Sequence, residues 1–355
     1  MALRLHARLG FAFSSGRRWA STSNVSRLRN TPHLKRKLGQ HLLVSDSILD
    51  QIVAAAALPQ LAASRPDDAK LRVLEIGPGT GNLTSALLAA DPKVHVHAVE
   101  FDERMVEQLQ YRFQAEITAG SLVVEHSDFE TFQFADETEL HAANEPRFDA
   151  CVANIPYQLS SLVVSRLSNY LHLFPTRFSC AVLLVQDEFA LRLLAQPGER
   201  NYSRLSANTA LVADVESVVA VPREHFLPPP KVDSRVIKLT PRAAVEPKLP
   251  TNDQLFFRKF DALLRIGFQR KNKTLRALLL SRTARSQYIL AKDAVQSDED
   301  EKQAVTERVE AALAACGLAS NRAVKIPVTE FMALLQALRD HGIELKPSTT
   351  RHFQE

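Results

Sequence analysis

The chain has few of the residues that build covalent or metal-stabilised scaffolds. Among its 355 residues are three cysteines, three methionines and one tryptophan. Cys151, Cys180 and Cys316 show neither CxxC pairing nor a His spacing typical of zinc, so we predict no metal site and no disulfide framework. No apolar run reaches the roughly 18 residues that a membrane-spanning helix needs, so we predict no association with a membrane.

Acidic residues are missing from the start of the chain. The first one is Asp46, whereas residues 1–30 contain six arginines, several serines and interspersed leucine and phenylalanine. An Arg-rich segment without acidic residues resembles a mitochondrial transit peptide. A basic arm that touches RNA is the alternative, but the apolar component favours targeting. We therefore predict that residues 1–30 direct the protein to the mitochondrial matrix.

The whole chain has a net charge of +4, and the six arginines of residues 1–30 contribute more than that. The rest of the chain is therefore close to neutral. Any binding to nucleic acid must then come from local basic patches rather than from overall charge.

Between residues 35 and 240, short apolar runs alternate with helical stretches, which predicts a largely parallel α/β sheet. The predicted strands are residues 72–76, 94–99, 122–125, 150–153, 180–185, 206–213, 218–221 and 232–239, with helices at 83–90 and 103–113. A proline-containing linker at 241–252 precedes predicted helices at 255–280, 305–315 and 328–338, the last with Thr329 as its cap. The acidic run at 298–301 is interpreted as a solvated loop or helix face.

A glycine-rich loop, residues 75–83 (EIGPGTGNL), follows the first of these strands and opens a helix. It matches neither a phosphate loop nor GxGxxG, because its glycines are Gly77, Gly79 and Gly81. The next strands end near Glu100, Asp128 and Asn154. Ligands bind outside the carboxyl ends of parallel strands, so these side chains are expected at one crevice. The Glu100 carboxylate is suited to bind ribose hydroxyls, and Asp128 is suited to accept a hydrogen bond from an adenine amino group. The glycine loop and these two acidic residues alone would also fit NAD as the cofactor.

The motif after the fourth strand, residues 154–157 (NIPY), distinguishes NAD from S-adenosylmethionine as the cofactor. Adenine N6 is a poor nucleophile, since its lone pair is delocalised into the ring. The Asn154 side-chain oxygen and a backbone carbonyl that Pro156 restrains could accept both N6 hydrogens, and Tyr157 offers a face for a splayed-out base. A simple turn is the alternative. The position of the NIPY motif directly after a strand favours a catalytic role, with S-adenosylmethionine as the cofactor.

These motifs resemble the ribosomal RNA dimethyladenosine transferase family over about residues 35–340. The matching segments are residues 37–43 (KLGQHLL), 75–83, 154–161 (NIPYQLSS), 186–193, 202–208, 226–234 (FLPPPKVDS) and 268–275 (FQRKNKTL). The resemblance implies an α/β, Rossmann-like class I methyltransferase domain at residues 31–245 and a smaller C-terminal helical, RNA-binding domain at 246–345. It implies N6-dimethylation of two adjacent adenosines in small-subunit rRNA by a monomer that also acts in maturation of the assembling small ribosomal subunit.

The resemblance also assigns residues to roles. The catalytic set is Asn154, Pro156, Tyr157 and Phe226; from the sequence alone Phe226 would be interpreted as a core residue. The cofactor set is Gln40, His41, Leu43, Gly77, Gly79, Gly81, Glu100, Asp128 and Asn154. Two basic clusters suit RNA phosphates, although each residue could equally belong to a solvated face. They are Lys35, Arg36 and Lys37, and Arg265, Arg270, Lys271, Lys273 and Arg276.

Two alternatives remain. A non-catalytic mitochondrial ribosome-assembly or transcription factor would share this fold, because fold does not fix function. The intact motif residues favour retained chemistry. A DNA adenine methyltransferase would more often carry Asn/Asp-Pro-Pro-Tyr, and Ile155 disfavours it.

The basic leader generates a first test. Deleting residues 1–30 should leave the protein in the cytosol, because the Arg-rich amphipathic segment is what an import system would read. Fluorescence microscopy of full-length and shortened fusions checks this, and mitochondrial import that persists after the deletion would contradict the targeting role.

Overall fold

The structure is a computed structural model, and it describes residues 41–134, 147–174, 177–242, 255–290 and 298–348. The predicted transit peptide, Gln40, the cluster Lys35–Lys37 and the linker up to residue 252 lie outside these ranges, apart from Pro241 and Arg242. Within the described residues no helix is long and apolar enough to cross a membrane, and no His, Cys, Asp and Glu group has a metal-binding arrangement.

A seven-stranded sheet forms the centre of the structure. The strands are Leu42–Leu43 (β1), Leu71–Ile76 (β2), Val94–Glu100 (β3), Leu122–His126 (β4), Ala150–Asn154 (β5), Cys180–Gln186 (β6), Ala213–Val221 (β7), Phe226–Leu227 (β8), Ser234–Pro241 (β9), Tyr288–Leu290 (β10) and Ile343–Leu345 (β11). The large sheet has the order β4-β3-β2-β5-β6-β9-β7; β1 pairs with β8, and β10 with β11. The five strands β4, β3, β2, β5 and β6 run parallel to one another, whereas β9 is antiparallel to both of its neighbours, β6 and β7.

Helices cover both faces of this sheet, because its central strands are apolar on both sides. The helices are Asp46–Ala56 (α1), Leu58–Ala63 (α2), Asn82–Leu88 (α3), Glu103–Arg112 (α4), Gln114–Thr118 (α5), Ser160–Leu173 (α6), Asp187–Leu194 (α7), Arg204–Ala210 (α8), Phe256–Gly267 (α9), Leu275–Leu279 (α10), Arg282–Arg285 (α11), Asp298–Cys316 (α12) and Val328–Asp340 (α13). Cys151 and Ala153 of β5 join one buried cluster, and Ala150 and Val152 join the other.

The order of the strands creates a switch point. From β2 the chain moves outward to β3 and then β4, whereas β5 lies on the opposite side of β2 and continues to β6. At such a point the loops after neighbouring strands diverge and leave a crevice at the carboxyl ends. The predicted α/β sheet and its first five strands are confirmed, with each boundary within one residue.

Three local predictions are wrong. Residues 206–213 were expected to form a strand, but residues 204–210 form α8, because Ser203 and Ser206 form a reciprocal capping box that starts a helix. The single helix predicted at 255–280 is broken between α9 and α10, where residues 269–273 have no apolar side chain to bury. Thr329 is not the cap of α13, whose N-cap position is Pro327.

The acidic run lies on a helix rather than in a loop. Glu299, Asp300 and Glu301 lie on α12, and their side chains are exposed. This agrees with the interpretation of a solvated helix face.

The C-terminal helices share a buried cluster with one face of the sheet. Phe260 and Leu263 of α9 belong to the same cluster as Leu183 of β6 and Leu167 of α6. The helical character predicted for this region is confirmed, while the division at residue 245 stays a prediction because residues 243–254 lie outside the described ranges.

A buried carboxylate ties α9 to α8. Asp261 is only 3% exposed, and its Oδ1 accepts a hydrogen bond of 2.9 Å from Nδ2 of the fully buried Asn208. Arg204 and Arg265 each approach a carboxylate oxygen of Asp261 at 3.5 Å. This buried carboxylate therefore joins α9 to α8 through a hydrogen bond and an ion pair, and loss of either partner would leave a buried polar group unpaired.

Replacing Asp261 should therefore destabilise the fold. Asp261→Ala strips Asn208 and Arg204 of a buried partner, so we expect the free energy of unfolding to fall by about 3 kcal/mol. Asp214→Ala is the matched control, since Asp214 pairs with Arg242 at the surface and should cost at most about 1 kcal/mol. Urea denaturation measures both, and equal losses would contradict the role of Asp261.

Candidate active site

A cavity of about 280 Å³ opens at the carboxyl ends of β2, β3 and β5. Its wall includes most of the residues that the sequence singles out: His41, Leu43, Gly77, Gly79, Glu100, Asp128, Asn154, Pro156, Tyr157 and Phe226. These come from six separate segments of the chain. The expectation that the strand ends aim their side chains at one crevice is thus met in the geometry.

The glycine loop allows two close approaches. Gly77 has φ of +65°, and a Cβ built on it would lie 3.2 Å from Cδ of Pro156. A side chain there would therefore strain the backbone and press on the NIPY motif. Gly81, at φ of +83°, is not among the residues that line the cavity; a Cβ would meet Phe113 at 2.4 Å. Gly81 lets the start of α3 pack against α4.

Glu100 ends β3 and is 7% exposed. Its Oε2 accepts a hydrogen bond of 3.0 Å from the Gly79 backbone N–H, and its Oε1 accepts one of 2.9 Å from that of Asp102. Burial raises the pKa of this carboxyl above its ordinary value, although the backbone donors oppose the shift. Each oxygen keeps a lone pair, so the carboxylate can still accept from a ligand.

Glu75 is a cavity residue that the sequence reasoning did not single out. It is 1% exposed, and its Oε2 accepts a bond of 2.7 Å from the Thr84 hydroxyl, while Oε1 has no partner in the described structure. Burial, reinforced by the nearby charge of Glu100, raises the pKa of Glu75 to about 8, even though the Thr84 bond lowers it. An acidic residue between the apolar residues Leu74 and Ile76 was the signal that could have revealed it.

Asp128 lies in the loop after β4. Its Oδ1 accepts a hydrogen bond of 2.8 Å from the Glu130 backbone N–H, which fixes the side chain beside the cavity. Arg166 of α6 donates to the carbonyl oxygens of Phe129 and Phe132, so the helix that follows NIPY also braces this loop.

His41 links three parts of the wall. Its backbone carbonyl accepts a long hydrogen bond of 3.4 Å from Nδ2 of Asn154, and its Nδ1 lies 2.8 Å from the carbonyl oxygen of Pro228. Its ring stacks beside Tyr157 at 6.0 Å between centroids. With Nδ2 of Asn154 directed at His41, the amide oxygen is the atom left to accept from a ligand.

A short antiparallel ladder closes the cavity from the side. In it, Leu43 of β1 faces Phe226 of β8, which is 2% exposed. Phe226 is thus a buried residue, as the sequence alone indicated, and it also lines the cavity, while the catalytic role that the family resemblance implied stays a prediction.

The predicted basic cluster after residue 264 divides into two kinds of residue. Arg265 on α9 pairs with Asp261, and Arg276 on α10 pairs with Glu310. Arg270, Lys271 and Lys273 are exposed in the loop between these helices.

The strand order, the antiparallel β9 and the cavity at the switch point define a Rossmann-like class I methyltransferase. Comparison with known proteins specifies the family. The model of the family described as ribosomal RNA adenine dimethylase matches residues 32–312. The chain belongs to this family, a family of adenine methyltransferases acting on rRNA, which confirms the resemblance and the enzyme class that the motifs indicate.

Individual relatives agree. A dimethyladenosine transferase of Eremothecium gossypii is 37% identical over 86% of this chain and 89% of its own length. A ribosomal RNA small subunit methyltransferase of Arabidopsis thaliana is 44% identical over 70% of this chain, which spans 61% of that relative. A mitochondrial protein of the same description from that plant is 42% identical over 68% of this chain and 55% of its own length.

A solved structure is similar over most of the chain. The crystal structure of a dimethyladenosine transferase from Plasmodium falciparum superposes with a TM-score of 0.65 at 33% identity, covering 86% of this chain and all of that one. The α/β fold predicted from the alternation of strands and helices is thereby confirmed.

The buried Glu75 carboxyl makes stability depend on pH. Between its ordinary pKa of 4.5 and about 8, the folded protein keeps a proton that the unfolded chain releases. Its contribution is therefore complete below pH 4.5 and lost as pH rises through about 8, at about 1.4 kcal/mol per pH unit.

Glu75→Gln should remove this slope. We expect the variant to gain stability relative to the wild type as pH rises from 5 to 8, which urea denaturation at several pH values measures. Glu107→Gln, on the exposed side of α4, is the matched control. Parallel stability curves for the wild type and Glu75→Gln would contradict the raised pKa.

Proposed function

We propose that this chain uses S-adenosylmethionine to dimethylate N6 of two adjacent adenosines in mitochondrial small-subunit rRNA. The observation that carries the proposal is the convergence of Gly77, Glu100, Asp128 and the NIPY motif on one cavity. We further propose that it acts as a monomer in the mitochondrial matrix, on RNA within the assembling small ribosomal subunit. The Arg-rich residues 1–30 and the mitochondrial relative support that location.

The residues of the cavity fit a nucleoside cofactor. Glycine at positions 77 and 79 lets the loop that lines the cavity pass close to Pro156 and Leu42, which a Cβ would meet at 3.2 and 3.3 Å. Glu100 would hold ribose hydroxyls, and Asp128 would accept from the adenine amino group. Backbone and side-chain groups of Gln40, His41 and Leu43 would close over the cofactor, while Gly81 would contribute by shaping the loop. When bound, S-adenosylmethionine supplies an electrophilic methyl group.

The chain's own contribution to chemistry is orientation of the target base. Asn154 Oδ1, freed by the contact of its Nδ2 with His41, would accept one N6 hydrogen. The backbone carbonyl held by Pro156 would accept the other, so the nitrogen lone pair is directed out of the ring. Tyr157 and Phe226 would hold the splayed-out adenine by stacking.

Phosphate contacts would come from basic residues away from the cavity. Arg270, Lys271 and Lys273 have exposed side chains that can approach the RNA backbone, whereas Arg265 and Arg276 are shared with acidic partners. Lys35, Arg36 and Lys37, which lie outside the described residues, would provide further phosphate contacts. Such contacts position RNA without reading its sequence.

Asn154→Ala tests the mechanism. We expect methyl transfer to fall by at least about 100-fold, because an acceptor aimed at the reacting amine is lost, while cofactor binding largely survives. Transfer of labelled methyl groups to unmethylated small ribosomal subunits, with mapping of the modified nucleotides, measures the first; calorimetry measures the second.

Exposed Asn201→Ala is the matched control and should behave as wild type. Undiminished transfer by Asn154→Ala would rule out the mechanism. Absence of any transfer by the wild type, on particles and on naked rRNA, would instead favour a non-catalytic assembly factor.

A further inference from the structure

The Tyr157 side chain is restrained at two places. Its phenol oxygen lies 2.7 Å from Oγ of Ser234, within hydrogen-bonding distance. Its ring also lies beside that of His41, with an angle of 26° between the planes. Since His41 is itself bonded to the Pro228 carbonyl, the ring is held both at its hydroxyl end and along one side.

Ser234 occupies an unusual place for a polar side chain. It is the first residue of β9, pairs with Gln186 of β6 and Val221 of β7, and has no exposed surface. Val221 and Val236 nearby along these strands are also fully buried. The phenol of Tyr157 is the hydrogen-bond partner of this buried hydroxyl.

A purely structural role for this hydroxyl does not account for the arrangement. Ser160 and Ser168 are also buried, and their hydroxyl oxygens have no hydrogen-bond partner in the described structure. The fold therefore accommodates buried serines without a matching acceptor, so burial alone does not require that Ser234 meet a tyrosine. The bond joins β9 directly to the proposed base-stacking residue.

We propose that Ser234 is a positioning residue, which holds the Tyr157 ring at the angle that the target adenine requires. The inference rests on the proposed function, in which Tyr157 stacks on that base. Burial raises the pKa of the Tyr157 phenol, so the hydroxyl stays neutral and keeps this bond across the physiological pH range. A small rotation of the ring would displace N6 from its acceptors, and a misplacement of about 1 Å can cost 100-fold in rate.

A double-mutant cycle isolates the bond. Ser234→Ala removes it from one side and Tyr157→Phe from the other, while both keep the ring. We expect each to lower kcat by about tenfold with an unchanged dissociation constant for S-adenosylmethionine, and the double variant to be no worse than either. Ser168→Ala, a buried serine on α6 away from the cavity, should keep full kcat.

A second measurement uses the full-length protein without substrate. With ¹³C at Cζ of its five tyrosines, Tyr157→Phe assigns the Tyr157 resonance. Ser234→Ala should shift that resonance and leave the other four in place, because only one phenol loses its partner. This readout does not depend on methyl transfer.

The outcomes separate the two proposals. Multiplicative losses in the cycle, or wild-type kcat in Ser234→Ala, would overturn the positioning role while the methyltransferase function stands. A Tyr157 resonance that does not respond to Ser234→Ala would overturn it as well. If the wild type transfers no methyl group, the proposed function fails, and with it the role in catalysis, whatever the spectra show.

Discussion

The close approach of Gly77 to Pro156 is the constraint on which the rest of the site depends. β2 and β5 are neighbours in the parallel sheet, so the loops that follow them leave from the same edge. Glycine suits this position, because a Cβ at residue 77 would lie 3.2 Å from Cδ of Pro156 on a backbone with positive φ. This contact brings the glycine loop, which would face the cofactor, against the motif that would face the base. In the proposed mechanism, the packing of these two loops would set the distance between the cofactor and the target adenine.

Much of this arrangement could be predicted because strand ends are marked in the sequence. Apolar runs that stop at Gly77, Glu100 and Asn154 reveal both the sheet and the edge at which polar groups gather. Glu75 escaped because it lies within a strand, where an acidic residue is read as half of an alternating pattern. The raised pKa of Glu75 comes from complete burial beside Glu100. That burial depends on the packing of α3 and not on local sequence.

The two errors in helix and strand assignment have different causes. The serines at the start of α8 are compatible with a strand, and the reciprocal hydrogen bonds of Ser203 and Ser206 decide for a helix. The long helix predicted after residue 255 ends at Gly267, where Ala323 and Phe331 pack closely. The first cause is a capping contact between residues three apart, and the second is packing against residues distant in the sequence; each overrides local propensity. The likewise distant contact of Ser234 with Tyr157 could not be foreseen from either motif alone.

The ladder between β1 and β8 has a consequence for how the cavity exchanges its contents. It is two residues long on each side and belongs to neither edge of the large sheet. Because the ladder has few hydrogen bonds, these can separate in a local fluctuation that leaves the central strands intact. Such segments open with much less free energy than global unfolding requires. Amide hydrogens of Leu42 and Leu43 would then exchange with solvent far faster than those of β5. The wall that completes the cavity is also the part of it that yields first.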